Sequence, residues 1–325
     1  MSKEIELKMV VLPAVIESAL PELLERLGAK AIKETWLVNT YFDTPEMSLN
    51  KSRVALRVRQ KDGLFIQTLK TKGNSVAGLH RRGEWEWVVP ENKLDAALLV
   101  GGVWPSEIST DDLIPFFETN FKRTSAIIEC AGTKIELAVD CGYINAGEKQ
   151  VPLSEVELEI IEGDAGRLFE VAEIIAEIMP VMPSDVSKAE QGYRLGQEVF
   201  GSEFLSSLNC MGDYRVYVKE LVARNLTRWL YLFDRARQGC SEAILREMRD
   251  RLIVLRELLS TQGSIDLSVV FEGVALFDIV LGQVDRLIGV AVHGCAGRIE
   301  VYEQLLSLNE MGVLAIKVGR WLNDN

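Results

Sequence analysis

Charged side chains recur at every second position in several short stretches of this chain. Glu4, Glu6 and Lys8 alternate with apolar residues near the start. Further charges in phase with one another are Arg57, Arg59, Lys70, Lys72, Arg82, Glu84, Glu86, Glu136, Asp140, Glu155, Glu157 and Glu159. Paired carboxylates are hard oxygen ligands that suit Mg²⁺ or Mn²⁺, whereas Arg and Lys bind phosphate. A surface that carries both is suited to a metal–polyphosphate complex.

A period of two dominates up to about residue 162 and predicts β-strands, because residues two apart on a strand share a face. Eight strands are predicted near 3–11, 35–43, 53–60, 64–71, 82–89, 119–130, 133–144 and 153–162. Turn signals lie between them at Asp62-Gly63, Ala131-Gly132 and Gly147-Glu148, and the short links favour antiparallel pairing. Helices are predicted at about 13–28, 91–100 and 164–178.

The charged strand faces have two interpretations. A half-buried sheet usually turns its charged face to solvent. Here, however, the first and last strands are mainly acidic and the middle strands basic, and the predicted helices need the apolar face to pack on. The charges would then point into an eight-stranded closed sheet, whose interior is wide enough for one small ligand. Since unpaired buried charges are costly, such an interior must hold water, ions and a charged ligand.

From about residue 188 the period becomes helical, with segments near 213–238, 241–260, 266–290, 294–307 and 309–322. The sequence therefore predicts an α+β fold: an eight-stranded antiparallel closed β-tunnel with flanking helices, followed by an all-α domain. The predicted boundaries are a tunnel domain over 1–200, a linker over 201–212 and a helical domain over 213–325.

The net charge of −12 argues against nucleic-acid binding, and the acidity lies in residues 1–204, with 22 Lys and Arg against 33 Asp and Glu. No apolar run is long enough for a membrane span, so no membrane partner is expected. Five dispersed cysteines indicate reduced thiols in a cytoplasmic protein without a zinc site. His80 and His293 are interpreted as surface imidazoles. Protein partners and oligomeric state stay open.

The ordered set of motifs resembles the CYTH family of triphosphate tunnel metalloenzymes. The resemblance covers residues 1 to about 200 and begins with the Glu4-x-Glu6-x-Lys8 signature. The matching motifs that follow are Tyr41-Phe42-Asp43-Thr44-Pro45, Leu56-Arg57-Val58-Arg59, Thr68-Leu69-Lys70, Arg82-x-Glu84, Arg123, Glu136 with Asp140, Glu155 to Glu159, and Ser187-Lys188. Among family members the bacterial inorganic triphosphatases are the most similar. Many carry a histidine-containing helical CHAD domain; with two histidines in all, the helical part here resembles a degenerate or shortened one.

The resemblance implies roles for individual residues. Those expected to hold Mg²⁺ or Mn²⁺, or its bound water, are Glu4, Glu6, Asp140, Glu157 and Glu159. Those expected to bind the triphosphate are Lys8, Arg57, Arg59, Lys70, Arg82, Arg123 and Lys188. Glu4, Glu6, Lys8 and Lys70 form the expected catalytic set, and Glu84, Glu136 and Glu155 are expected to support it. Which of Glu155, Glu157 and Glu159 contacts the metal directly stays open.

The expected reaction is hydrolysis of inorganic triphosphate to pyrophosphate and phosphate. Hydrolysis of thiamine or nucleoside triphosphates, and cyclisation of ATP as in class IV adenylate cyclases, share the same tunnel and stay as alternatives. A non-catalytic polyphosphate sensor is the alternative from another class of protein.

Overall fold

The computed structural model describes residues 2–99, 104–196, 214–260, 267–292 and 298–324. Within them one sheet contains ten strands. These are β1 Ser2–Val11, β2 Lys30–Asp43, β3 Ala55–Lys61, β4 Leu64–Lys70, β5 Asn74–Val76, β6 Leu79–Val89, β7 Ile114–Cys130, β8 Thr133–Ala146, β9 Lys149–Glu162 and β10 Val181–Pro183. The predicted linker over 201–212 lies outside the described residues.

The sheet closes on itself. Its strand order is β10-β1-β9-β8-β7-β2-β3-β4-β6-β5, and a further pairing of β1 with β6 completes a ring of eight strands. Every pairing is antiparallel. The predicted eight-stranded antiparallel tunnel is therefore confirmed. The short strands β5 and β10, three residues each, were not predicted; they extend the sheet beside β6 and β1.

Tight turns at the predicted positions set the register of the hairpins. Asp62 and Gly63 have φ values of 51° and 81°, and Ala131 and Gly132 have 45° and 80°. Two successive residues with positive φ are typical of the type I′ turn, whose twist matches that of the flanking strands. The β3–β4 and β7–β8 hairpins are thereby fixed in register from end to end.

Alternation along the strands sorts apolar residues outwards and charges inwards. Leu7 of β1 and Leu158 of β9 are fully buried and pack in one cluster with residues of the outer helices, such as Leu23 and Phe169. The helices cover the outside of the ring, so the charged faces have only the interior to point into. This confirms the interpretation of the charges as a lumen.

Nine α-helices are found in the described part of the chain: α1 Pro13–Arg26, α2 Ser48–Lys51, α3 Arg167–Ile178, α4 Lys188–Gly196, α5 Tyr214–Gly239, α6 Glu242–Ser260, α7 Leu267–Val292, α8 Arg298–Leu306 and α9 Asn309–Asn323. The short α2 and the nine-residue α4 are additions to the predicted helical segments. No helix in these residues combines the length and apolar content that crossing a membrane requires.

The helix predicted over 91–100 is wrong. Only Ala96–Leu98 forms a single 3₁₀ turn there. The Gln67 side chain accepts from the backbone N–H of Asp95 and donates to its carbonyl oxygen, which ties this segment to β4. Its apolar residues Leu94, Leu98 and Leu99 cover the outer face of the sheet instead of one side of a helix.

The helical part packs directly on the sheet through α9, which contacts β10, and α5, which contacts β5. Leu314 of α9 belongs to the same apolar cluster as Phe169 of α3. A Cβ on Gly312 would lie 1.8 Å from the carbonyl oxygen of Val181 in β10, so glycine permits this close approach. The barrel and the helical part therefore share one hydrophobic core.

Candidate active site

A cavity of about 250 Å³ runs inside the barrel. The predicted site residues that line it are Glu4, Glu6, Lys8, Arg57, Arg59, Lys70, Arg82, Glu84, Arg123, Glu136, Glu157, Glu159 and Lys188. Asp140 and Glu155 lie behind this lining, with no exposed surface. The structure therefore brings together every residue that the sequence selected, thirteen on the wall and two behind it.

Three carboxylates form a row across neighbouring strands. Glu6 of β1 is the cross-strand partner of Glu159 of β9, which in turn pairs with Glu136 of β8. Directly opposed side chains have Cβ atoms about 5 Å apart, and like charges in such positions repel. Burial, with the nearby Glu4 carboxylate, raises the pKa of Glu159 to about 8. Excess negative charge is therefore concentrated at this point of the wall.

The carboxylates of β1 are held by cations from β4 and β6. Arg82 donates to Glu4 over 2.6 Å and to Glu6 over 2.7 Å, and Lys70 donates to Glu4 over 2.6 Å. Burial alone would raise the pKa of Glu4, but Lys70 and Arg82 outweigh it and hold that pKa well below its usual range. Burial raises the pKa of Glu6 despite Arg82. Glu4 is thus compensated within the protein to a greater extent than Glu6.

A second group of charges, here called the paired cluster, consists of Arg123, Asp140, Glu155, Glu157 and Lys188. Carboxylate oxygens of its three acids lie within 4.8 Å of one another. Lys188 Nζ lies 2.8 Å from Asp140 and 2.7 Å from Glu157, and it also contacts Glu155. Arg123 forms a bidentate pair with Asp140, with both contacts at 2.7 Å. Two cations of the protein itself thus occupy the space between these carboxylates.

The wall also carries three charges that form no ion pair with another described residue, here called the unpartnered set: Lys8, Arg59 and Glu159. Lys8 is 1% exposed, and its Nζ finds no hydrogen-bond acceptor among the described residues. Arg59 donates from Nε to Asn39 over 2.8 Å but contacts no carboxylate within the described ranges. Burial, together with the like charges of Arg57 and Arg123, lowers the pKa of Arg59 to about 9. No described residue forms an ion pair with any of these three groups, so they are available to a bound ligand.

Helix α4 covers one side of the cavity. Its first residues, Lys188 and Ala189, line the cavity together with the preceding Ser187. The Lys188 ammonium lies 5.3 Å from the centre of the Phe121 ring, and the Arg123 guanidinium 5.9 Å from the same ring. Phe121 is fully buried and belongs to the apolar cluster that contains Tyr41 and Phe117.

Several wall residues escaped the sequence analysis. Lys33, Lys61 and Tyr41 line the cavity. Lys61 is in phase with Arg57 and Arg59 on β3, and Lys33 and Tyr41 are in phase with Asn39 on β2. Tyr41 stacks on Phe117 with ring centres 4.5 Å apart. Burial alone would raise the pKa of Tyr41, but Arg57 and other cations lower it below its ordinary value. Strict alternation along β2 and β3 was the signal that could have found all three.

His80 is not a surface imidazole, so that prediction is wrong. It is 6% exposed, and its Nε2 lies 3.0 Å from the carbonyl oxygen of Ser184. Burial, with the cations Lys8 and Arg82, lowers its pKa to about 3. The short strand β5 and the β10–α4 connection cover it, and neither was predicted. His293 lies outside the described residues.

An inorganic triphosphatase of Haemophilus influenzae is 36% identical over 222 residues, which cover 68% of this chain and 61% of that protein. A structure from Hippeastrum, described as a candidate adenylyl cyclase with dominant triphosphatase activity, is 20% identical and covers 59% of this chain and 95% of its own, with a TM-score of 0.44.

A candidate adenylate cyclase from Bacillus halodurans is 22% identical and covers 55% of this chain and 90% of its own, with a TM-score of 0.33. The sequence model of the CYTH domain matches residues 2–193, which is more than half of the chain and includes every predicted site residue. The chain therefore belongs to the CYTH family.

Proposed function

We propose that this protein is a metal-dependent hydrolase that cleaves inorganic triphosphate to pyrophosphate and phosphate. The observation that carries the proposal is the unpartnered set: charges of both signs line one cavity and form no ion pair with another described residue. A metal–triphosphate complex would supply a cation for the carboxylates and an anion for Lys8 and Arg59 together. The likeness to the Haemophilus influenzae inorganic triphosphatase supports the same reaction.

The row of Glu6, Glu159 and Glu136 fits a divalent cation better than the paired cluster does. Among the described residues, Glu159 and Glu136 form no ion pair and Glu6 pairs only with Arg82, so the negative charge of the row exceeds the positive charge that contacts it. A hard cation such as Mg²⁺ or Mn²⁺ would compensate that charge. When bound, such an ion would neutralise charge that develops on the phosphate and would orient a water molecule. Glu4 lies beside this row. Direct coordination by Asp140 and Glu157 stays a prediction, since Lys188 and Arg123 already contact both.

The basic residues would bind and orient the triphosphate. Arg57 and Arg59 lie on β3 and face the carboxylates across the cavity, so they would hold the anion against the metal site. Lys70 is fixed between Glu4 at 2.6 Å and Glu84 at 3.1 Å, which keeps its ammonium at the border of the acidic and basic walls. An ammonium at that border is suited to stabilise charge on the phosphate under attack.

Nucleoside or thiamine triphosphate is the second candidate substrate. Ile66 and Val88 are cross-strand partners, and their phase with Thr68 and Glu86 puts them on the inner face of the barrel. Val88 is 71% exposed, and the neighbouring Leu64 is 54% exposed. Apolar surface at the end of a charged cavity would suit an organic group attached to the triphosphate.

The test is an assay of the purified full chain with Mg²⁺ or Mn²⁺ against inorganic triphosphate, ATP and thiamine triphosphate, with all products resolved. We expect phosphate and pyrophosphate from inorganic triphosphate and no activity with EDTA. Cyclic AMP from ATP would contradict the hydrolase, and tight binding without turnover would identify a sensor instead. Preference for thiamine triphosphate or ATP, with hydrolysis retained, would select the second candidate.

Glu6→Gln sharpens the assay. It removes one carboxylate of the proposed metal site, so kcat/KM should fall by about 10²–10³, equivalent to several kcal/mol of lost charge stabilisation. Glu34→Gln is the matched control, because Glu34 lies on the outside of β2, paired with Lys122 at 2.7 Å. Equal activity of the two variants would contradict the assignment of the metal site.

A further inference from the structure

Helix α4 belongs to two parts of the molecule at once. Its first residue, Lys188, reaches into the barrel, where it contacts three carboxylates. The rest of the helix runs between the barrel and α5. Since α4 has only nine residues, it would be marginal as an isolated helix, and contacts with its surroundings decide where Lys188 is held.

Two side chains of α5 hold α4 from the outside. Arg237 donates from one guanidinium nitrogen to Gln191 Oε1 over 2.9 Å and from the other to the carbonyl oxygen of Pro152 on β9. Asp234, one helical turn earlier, forms an ion pair with Arg194 of α4. Arg237 thus joins α5, α4 and β9 at a single point.

The contacts continue inwards without a break. The Gln191 side chain is 9% exposed, and its Nε2 donates to Glu155 Oε2 over 3.5 Å. The other oxygen of Glu155 contacts Lys188 Nζ. Glu155 is fully buried. Arg237, Gln191, Glu155 and Lys188 therefore form a continuous chain of polar contacts from the helical part of the protein to the cavity wall.

The side-chain amide of Gln191 is suited to its place in this series of contacts. A glutamine accepts through Oε1 and donates through Nε2, so it can contact a cation on one side and a carboxylate on the other. Arg237 fixes which way the amide points, because only the oxygen can accept from the guanidinium. The nitrogen is then left facing Glu155, which supports the carboxylate that holds Lys188.

We infer that Arg237 and Gln191 are positioning residues for Lys188, and that the helical part of the chain thereby completes the anion-binding wall of the barrel. The inference rests on the proposed function only in the role given to Lys188, as a ligand of the triphosphate. Neither residue contacts the cavity itself, so both act through Glu155 and Lys188.

The variants for the test are Arg237→Ala, Gln191→Ala, their double variant and Gln191→Glu, all in the full chain. Arg249→Ala is the control, since Arg249 pairs with Asp285 at 2.6 Å within the helical part and touches neither α4 nor the barrel. The measurements are kcat and KM for inorganic triphosphate, binding of triphosphate by calorimetry, melting temperature, and hydrogen exchange in 188–196.

Arg237→Ala and Gln191→Ala should each raise KM about tenfold, the usual effect of losing a hydrogen bond to a charged group, with a smaller change in kcat. The double variant should be no worse than either single one, because both break the same chain of contacts. Gln191→Glu keeps the acceptor for Arg237 and loses the donor to Glu155, so its KM should rise as well. Hydrogen exchange should increase in 188–196 in each variant except Arg249→Ala.

Three results would overturn the inference. One is a KM for Arg237→Ala equal to that of Arg249→Ala. Another is fully additive effects of Arg237→Ala and Gln191→Ala, and the third is a rise in KM that follows the loss of melting temperature across all variants. Failure of the proposed function would look different: the unmodified protein would not hydrolyse triphosphate, while Arg237→Ala would still weaken its binding in calorimetry.

Discussion

The two charged groups of the barrel differ in how their charges are compensated. In the paired cluster, Lys188 and Arg123 lie among three carboxylates at contact distance, so the protein itself compensates most of their charge. In the unpartnered set, Lys8, Arg59 and Glu159 are held in the same wall without ion pairs to one another or to other described residues. Apart from Lys188, which lies on α4, the members of both groups lie on inward strand faces and look alike in sequence.

This difference in charge compensation distinguishes residues that stabilise the cavity wall from residues that are free to bind a ligand. The free energy lost when a charge is buried is largely offset by attraction to its ion-pair partner, so the paired cluster is stable without a ligand. For a charge without an ion-pair partner, nothing offsets this loss until a counter-ion binds. Charges of both signs in the unpartnered set therefore indicate a ligand that combines a cation and an anion, as a metal–triphosphate complex does.

The largest expected effect is a difference in stability, without metal, between the Lys188→Met and Arg59→Met variants. Removing Lys188 takes away a cation that three carboxylates share and leaves the buried Glu155 without an ion pair, while Arg123 still pairs with Asp140 and Glu157. The free energy of unfolding should therefore fall by about 3–5 kcal/mol. Removing Arg59 removes its repulsion by Arg57 and Arg123. The free energy of unfolding of this variant should therefore lie within about 1 kcal/mol of that of the unmodified protein, or above it. Urea denaturation at pH 7 measures both, and equal losses would show that the two groups do not differ.

A smaller effect is expected for Glu159→Gln. Because its pKa is about 8 in the folded protein and near 4.5 when unfolded, the folded state binds more protons between these values. Stability of the metal-free protein is then lost as the pH rises from about 4.5 to about 8, and glutamine removes that loss. The variant should be more stable by roughly 1–3 kcal/mol at pH 7, with no such gain near pH 4.5.

The measurement is urea denaturation of both proteins in EDTA across this range. Added Mg²⁺ should reverse the order, because it stabilises only the protein that retains Glu159. Glu34→Gln controls for removal of a surface carboxylate. A Glu159→Gln protein that is less stable than the unmodified protein at pH 7 in EDTA would place Glu159 in an ion pair and remove it from the unpartnered set.

Alternation in the sequence was enough to predict which side of each strand carries charge, and the need to pack helices was enough to turn that side inwards. It could not predict which charges meet. Glu6 and Glu159 are far apart in sequence and become neighbours only through the register of β1 on β9. The pairing of Lys188 depends on α4, whose position is set by long-range contacts such as Gly192 against Phe117, where a Cβ would lie 2.2 Å from the ring. His80 was misjudged for the same reason, since the segments that bury it are distant in the chain.

The smallest predicted effect concerns His80, whose pKa is lowered by burial and by the cations Lys8 and Arg82. Its pKa is about 3 in the folded protein and near 6.5 when unfolded, so below pH 6.5 the unfolded state binds the extra proton. Stability is therefore lost as the pH falls, at up to about 1.4 kcal/mol per pH unit from this group. His80→Asn removes that slope, although it also loses the contact with Ser184 at every pH. The difference between the two unfolding free energies should thus shift by about 1 kcal/mol in favour of the variant between pH 7 and pH 5.5. Parallel curves over this interval would mean that the imidazole accepts a proton in the folded state, and hence that its burial beside Lys8 and Arg82 does not lower its pKa.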